Sequence, residues 1–195
     1  MTPDDVLTFW IGPSDGDPFA NAEKWWKKDD AFDADVRARF GAALEAAARG
    51  ELDAWAAAPR SCVALVILLD QLSRNIHRGS ARAFAADAKA LSVARALVDA
   101  KGDRGLRPIE RAFAYMPFMH AEDLAAQDRC IVLFAILTEE APADQRGRFV
   151  ENVLFAVKHR RIIERFGRFP HRNAALGRAS TPEERAFLEQ PGSSF

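Results

Sequence analysis

The stretch Ser61-Cys-Val-Ala-Leu-Val-Ile-Leu-Leu-Asp-Gln-Leu-Ser-Arg-Asn-Ile-His-Arg-Gly79 decides the fold class. Within it, Val63–Leu69 is the one place in the chain where β-branched residues gather. A short apolar run fits a buried strand as well as a buried helix, so length and flanks arbitrate. Ser61 suits a helix N-cap and Gly79 a helix stop. The reading is one strongly apolar helix from Cys62 to about Arg78, and with it the only strand candidate disappears.

Outward from that helix the pattern is helical throughout, with apolar residues recurring three and four apart. Thr2 with Pro3 and Asp4-Asp5 starts a first helix that buries Val6, Leu7, Trp10 and Ile11. Phe32, Val36, Phe40 and Leu44 form the stripe of a helix that starts near Asp30 or Asp33 and ends at Gly50. Ser80 begins another with Phe84, Leu91, Ala94 and Leu97 inside. Arg107–Tyr115 resumes a helix that Pro117 interrupts. Further helices cover about Ala121–Thr138, then Pro142–Phe166 with Gly167 as its stop. Thr181-Pro-Glu-Glu184 is a capping box for a last one. Short connections between these helices imply antiparallel pairs. The fold class is all-α, as a single domain over residues 1–195.

The chain has 195 residues, 49% of them hydrophobic, enough for one well-filled core. Lys+Arg is 27 and Asp+Glu is 28, a net charge of -1. That balance argues against nucleic acid as a partner, which needs a broad cationic excess. The longest apolar run, Cys62–Leu69, is too short to span a bilayer, so no membrane is expected. Met1–Asp5 lacks the charged-then-apolar order of a signal peptide. Cys62 and Cys130 lie in apolar helices without metal-ligand spacing and read as free thiols of a cytoplasmic protein.

Three constellations place polar residues where apolar ones would continue the pattern. In Leu69-Asp-Gln-Leu-Ser-Arg-Asn75, Asp70 follows Val66 by one turn and precedes Arg74 by another. A carboxylate on an apolar stripe needs a partner, and Arg74 supplies it. This pair either fixes helix packing or orients Arg74 towards a ligand, with Asn75 beside it. In Tyr115-Met-Pro-Phe-Met-His-Ala-Glu-Asp123, the proline places His120 at the start of the next helix, on one face with Asp123 and Gln127. That arrangement is a candidate general base, or else an N-terminal cap. One histidine among acids falls short of a metal site, and neither metal nor cofactor is expected.

The third constellation ends in Arg165-Phe-Gly-Arg-Phe-Pro-His-Arg-Asn173, where glycine and proline force the chain out of its helix. From His159 to Arg172 there are five arginines and one acid. Arg168, His171, Arg172 and Asn173 lie in the loop, and arginine suits bidentate recognition of carboxylate or phosphate. The same arginines could tie the loop to Asp70, Asp87, Glu110, Glu122 or Asp123. The four tryptophans read as core and lid packing.

These constellations, in this order, resemble a widespread bacterial family of unknown function, family 924. The resemblance runs from Phe9-Trp10 through the three motifs to Ser180-Thr-Pro-Glu-Glu184. It implies a tetratricopeptide-like, right-handed bundle of stacked antiparallel helix pairs, although the tetratricopeptide sequence signature is absent. The family usually has serine after the histidine of the second motif; here that residue is Ala121. The resemblance carries no substrate, cofactor or catalytic assignment.

Two functions follow as expectations. In the first, Asp70, Arg74, Asn75, Gln127, Arg168, Arg172 and Asn173 line a polar pocket for a small anionic molecule, phosphate or carboxylate. His120 or His171 then serves as acid or base in a hydrolase or lyase. The alternative is a tetratricopeptide-like module that clamps an acidic peptide with the same arginines and has no catalysis. A purely structural salt-bridge network is the third possibility.

Overall fold

A computed structural model describes residues 1–193; the last two residues of the expected domain, Ser194 and Phe195, lie outside the described residues. The chain is all-α, and no strand occurs among the described residues. The helices are α1 (Pro3–Trp10), α2 (Ala22–Trp26), α3 (Asp30–Arg49), α4 (Pro59–Val66), α5 (Ser73–Ile76), α6 (Asp87–Asp99), α7 (Pro108–His120), α8 (Leu124–Glu140), α9 (Arg146–Phe166) and α10 (Pro182–Leu188). Short 3₁₀ turns fill several connections, among them Ala81–Phe84 and Pro170–Arg172.

The stretch that decides the class is helical but not uniformly α. Between α4 and α5 the backbone runs through a π-helical segment, Ile67–Leu72. Every side chain from Val63 to Asp70 is wholly buried. This rod packs against α1, α3, α6 and α7. Burying each of its large aliphatic side chains contributes about 1.5–3 kcal/mol, so the rod is the centre of the core. Ser61 does not cap it. The helix starts two residues earlier at Pro59, whose fixed φ suits the first helical position, and the Ser61 hydroxyl donates to the carbonyls of Trp55 and Ala58.

Caps expected from sequence occur at two other starts, and Asp29, not singled out from sequence, caps a third. Thr2 with Asp5 and Thr181 with Glu184 form reciprocal capping boxes, and Asp29 accepts from the amides of Ala31 and Phe32. Gly167, at φ 68°, ends α9 and turns the chain towards the Pro170–Arg172 turn. Trp10 is buried and Trp25 packs edge-on to Phe113 at 4.9 Å, whereas Trp26 is exposed and takes no part in the core.

The main departure is at Pro117. Proline removes a helical donor and crowds the preceding turn, yet α7 runs through it to His120. All residues from Ile109 to Met119 are buried, so tertiary packing outweighs the local cost. Helix α8 therefore starts later, at Leu124, behind an Asp123 side chain that accepts from the Ala126 amide at 2.7 Å. The α8–α9 pair is an antiparallel hairpin joined by residues 141–145. A small second cluster of Ile162, Ile163 and Phe169, with Phe166 and Phe187 against it, seats α10 on the end of α9.

Candidate functional site: an aspartate–histidine pair between two arginines

Asp70 sits in the π segment with no exposed surface. Three groups converge on its carboxylate. His120 Nδ1 lies 2.8 and 2.9 Å from its two carboxylate oxygens. Gln71 donates to Oδ2 at 2.6 Å, and the Arg74 guanidinium is 3.2 Å from Oδ1. Burial alone would push this carboxyl up. The Arg74 and His120 neighbours override that and hold it below the usual carboxylate range.

His120 is at the C-terminal end of α7, not at the start of α8, because the helix does not break at Pro117. The helix dipole there favours a protonated ring, but burial pushes its pKa down, and Arg74 and Arg172 act in the same sense against the pull of Asp70. The ring is neutral at physiological pH. An ionised Asp70 can only accept, so the ring proton is on Nδ1 and Nε2 keeps its lone pair. This is the arrangement by which a carboxylate fixes the tautomer of a histidine base.

Two arginines flank the pair. Arg74 and Arg172 both reach Asp87 Oδ2, each at 3.1 Å. Arg172 also donates to the His120 carbonyl at 3.0 Å, and its guanidinium lies between Phe84 and Phe169, 4.7 and 4.5 Å from their ring centroids. Burial and the proximity of Arg74 lower its pKa to about 10. Arg172 Nε and Asp87 Oδ1 are buried without a hydrogen-bond partner. The side chains of Arg74, Asp87 and His120 keep 21%, 18% and 14% of their exposure, so the cluster meets solvent at one edge while Asp70 lies behind it.

His159 and His171 complete the surroundings. The His120 and His159 rings are 6.3 Å apart, and Phe169 lies 5.6 Å from each of His159 and His171. His159 Nδ1 bonds the Phe155 carbonyl at 2.8 Å. Burial, then the neighbouring His120, lowers the His159 pKa to about 3. Burial, then Arg172, lowers that of His171 to about 4. Among the described residues no group of three or more His, Cys, Asp or Glu side chains could hold a metal ion.

The fold therefore brings Asp70, Arg74, His120 and Arg172 into one cluster, with His171 at its edge. The remaining expected residues lie in other networks. Asn75 donates to Asp33 at 2.8 Å, alongside the Asp33–Arg78 ion pair. Gln127 donates to the carbonyls of Met119 and Ala121 at 2.6 and 2.8 Å, closing the end of α7. Arg168 makes a two-pronged bond to the buried Glu184 at 2.7 and 2.8 Å. Asn173 donates to Ser180 and Glu184 and accepts from Arg178, which in turn grips Glu122. These bonds tie the C-terminal loop to α10 and to the α7–α8 corner.

Sequence reasoning did not single out Asp87 or His159. Asp87 begins α6 and stood only among the available acids, and His159 is one residue of a basic run. Their meeting with His120 depends on how three helices pack. Two surface depressions lie apart from the cluster, one of about 530 Å³ beside Arg37 and His77 and one of about 440 Å³ beside Arg60 and Arg107. Arg37 is bonded to the Ile76 carbonyl, and Arg60 to Asp4 and Glu110. In the first depression His77 Nε2 lies 3.7 Å from the Glu45 carboxylate, beyond hydrogen-bond distance and unlike the close contact of His120 with Asp70.

No curated protein matches the chain. The solved structure of a protein of unknown function from Agrobacterium tumefaciens is similar at 41% identity and a TM-score of 0.81, covering 96% of each chain. No helix among the described residues is long and apolar enough to cross a membrane. A family model described as bacterial protein of unknown function (DUF924) matches residues 6–192. With that match over nearly the whole length, the chain belongs to the DUF924 family of bacterial proteins.

Proposed function

We propose that the Asp70–His120 pair and its two arginines form a binding centre for a small anion, a phosphate or carboxylate, and that His120 acts there as acid or base. The observation that carries this reading is the bond from His120 Nδ1 to a wholly buried Asp70, which leaves Nε2 as the basic atom. Arg74, on the solvent-facing edge, and Arg172, buried beside it, supply positive charge, and the two share the single carboxylate of Asp87. A base beside an anion clamp suits hydrolase or lyase chemistry. Arg168 and Asn173, held by Glu184 and Arg178, are no longer part of the proposed ligand set.

The test is a thermal-shift screen of the purified protein against inorganic phosphate, phosphate monoesters and di- and tricarboxylates. A ligand at a hundred times its Kd adds about 2.7 kcal/mol, which raises Tm by roughly 5–10 °C for a chain of this size. The shift should vanish in Arg74→Gln, and His120→Gln should keep binding while losing any turnover of the hit. A screen in which no anion moves Tm, or in which the shift survives in Arg74→Gln, sinks the proposal in favour of a structural network.

A further inference from the structure

Eight large hydrophobic side chains are exposed among the described residues, and six of them lie on α8 and α9: Leu124, Val132, Ile136, Val150, Leu154 and Phe155. Four form a regular block. Ile136 lies one turn before the end of α8 and Val150 one turn after the start of α9, so they share a level of the antiparallel hairpin. Val132 and Leu154 share the next level, a further turn from the connection. All four point away from the stripes their helices bury, which are Gln127, Cys130, Phe134 and Leu137 on α8 and Phe149, Ala156 and His159 on α9. Helices that are apolar on the outward side as well as the inward side are ordinarily covered on both.

We propose that a second copy of this chain covers this block, the two copies related by a twofold axis running along the hairpin. That axis sets each α8 antiparallel on the other copy's α9, giving a four-helix bundle. Ile136 of one copy then meets Val150 of the other, and Val132 meets Leu154.

Charge selects this axis. At the connection end of the block stand Glu139, whose side chain is in no ion pair among the described residues, and Arg146, whose guanidinium bonds only the carbonyls of Ala141 and Glu139. At the far end stand Asp128, which also pairs with Arg160, and Lys158, which lies over the Phe155 ring. An axis along the hairpin puts Glu139 near Arg146 of the second copy and Asp128 near its Lys158. An axis across the hairpin would instead set Asp128 against Glu139 and Lys158 against Arg146, like charges on both sides.

The area is adequate. At 17 and 21 residues, α8 and α9 are roughly 25 and 31 Å long. Side by side they present a face of about 500 Å² in projection, the scale of the ~800 Å² of accessible surface that one partner gives to a standard interface.

Sedimentation equilibrium of the full chain tests the association. The expected mass is twice the 21.6 kDa of one chain. Val132→Glu and Leu154→Glu, both at exposed positions, should each raise the dimer Kd by roughly tenfold or more with the helical circular dichroism unchanged. A wild-type monomer at every concentration, or a dimer that withstands both substitutions, overturns the proposal. The axis is read by oxidative cross-linking of singly substituted chains, since the native cysteines are buried. Ile136→Cys mixed with Val150→Cys should give the cross-linked pair of unlike chains. Cross-links only between like chains overturn the proposed axis.

Discussion

Acidification should destabilise this protein well before its carboxylates titrate, and the buried imidazoles set the size of the effect. His159 is 5% exposed and its pKa is lowered to about 3 in the folded chain, against about 6.5 in an unfolded one. Between those values the unfolded chain takes up a proton that the folded chain refuses, so stability falls as pH falls through that window. From about pH 7 to about pH 5 the loss from His159 alone is about 2 kcal/mol, growing to about 3 near pH 4. His171 and His120 are also lowered and act with the same sign. Asp70, held below the usual range, adds its own loss only at lower pH, because its contribution is complete above the unfolded carboxylate pKa. Against a total stability of about 5–15 kcal/mol, the histidine effect is large. Urea denaturation at the two pH values measures it, and His159→Gln should remove the His159 share of the slope. Equal urea midpoints at about pH 7 and about pH 5 would refute the reasoning.

Two further outcomes are expected. Asp70→Asn leaves Arg74 and Arg172 with Asp87 as their shared carboxylate and His120 without its ionised acceptor; the loss should be about 3–5 kcal/mol, read as a lower urea midpoint. Glu184→Gln removes the common partner of Arg168, Asn173 and the Thr181 amide. Limited proteolysis should then cut within residues 174–181 sooner than in the parent chain while the core helices stay protected, and unchanged cleavage would contradict this role.

The helical class and most helix ends were legible in the residues themselves. Periodicity marks α3, threonine caps mark α1 and α10, and glycine marks the end of α9, because each of these signals is local; Pro142 placed the start of α9 four residues early. Pro117 was misleading because its cost is local while the burial of Ile109–Met119 that overrides it is not. That one error moved His120 from the beginning of a helix to the end of one. The Asp70–Arg74 pair was readable from its spacing, but the bond from His120, 50 residues away, was not. Arg168 and Arg172 look alike in sequence. Only the turn between them sends one guanidinium to Glu184 and the other to Asp87. A tetratricopeptide-like arrangement is an expectation from resemblance alone, since helix periodicity says nothing about how helices stack.

A π turn closes its hydrogen-bonded ring with one residue more than an α turn. Since one residue is about 100° of helical rotation, the face that α4 shows its neighbours is out of phase with the face that α5 shows its own. The rod from Pro59 to Ile76 therefore cannot be laid on a single helical wheel. Loss of one residue from Ile67–Leu72 would let it relax into an unbroken α-helix of better local geometry, with Asp70 swung away from His120. The direction in which this carboxylate points is thus encoded in the number of residues in the rod as much as in which residues they are.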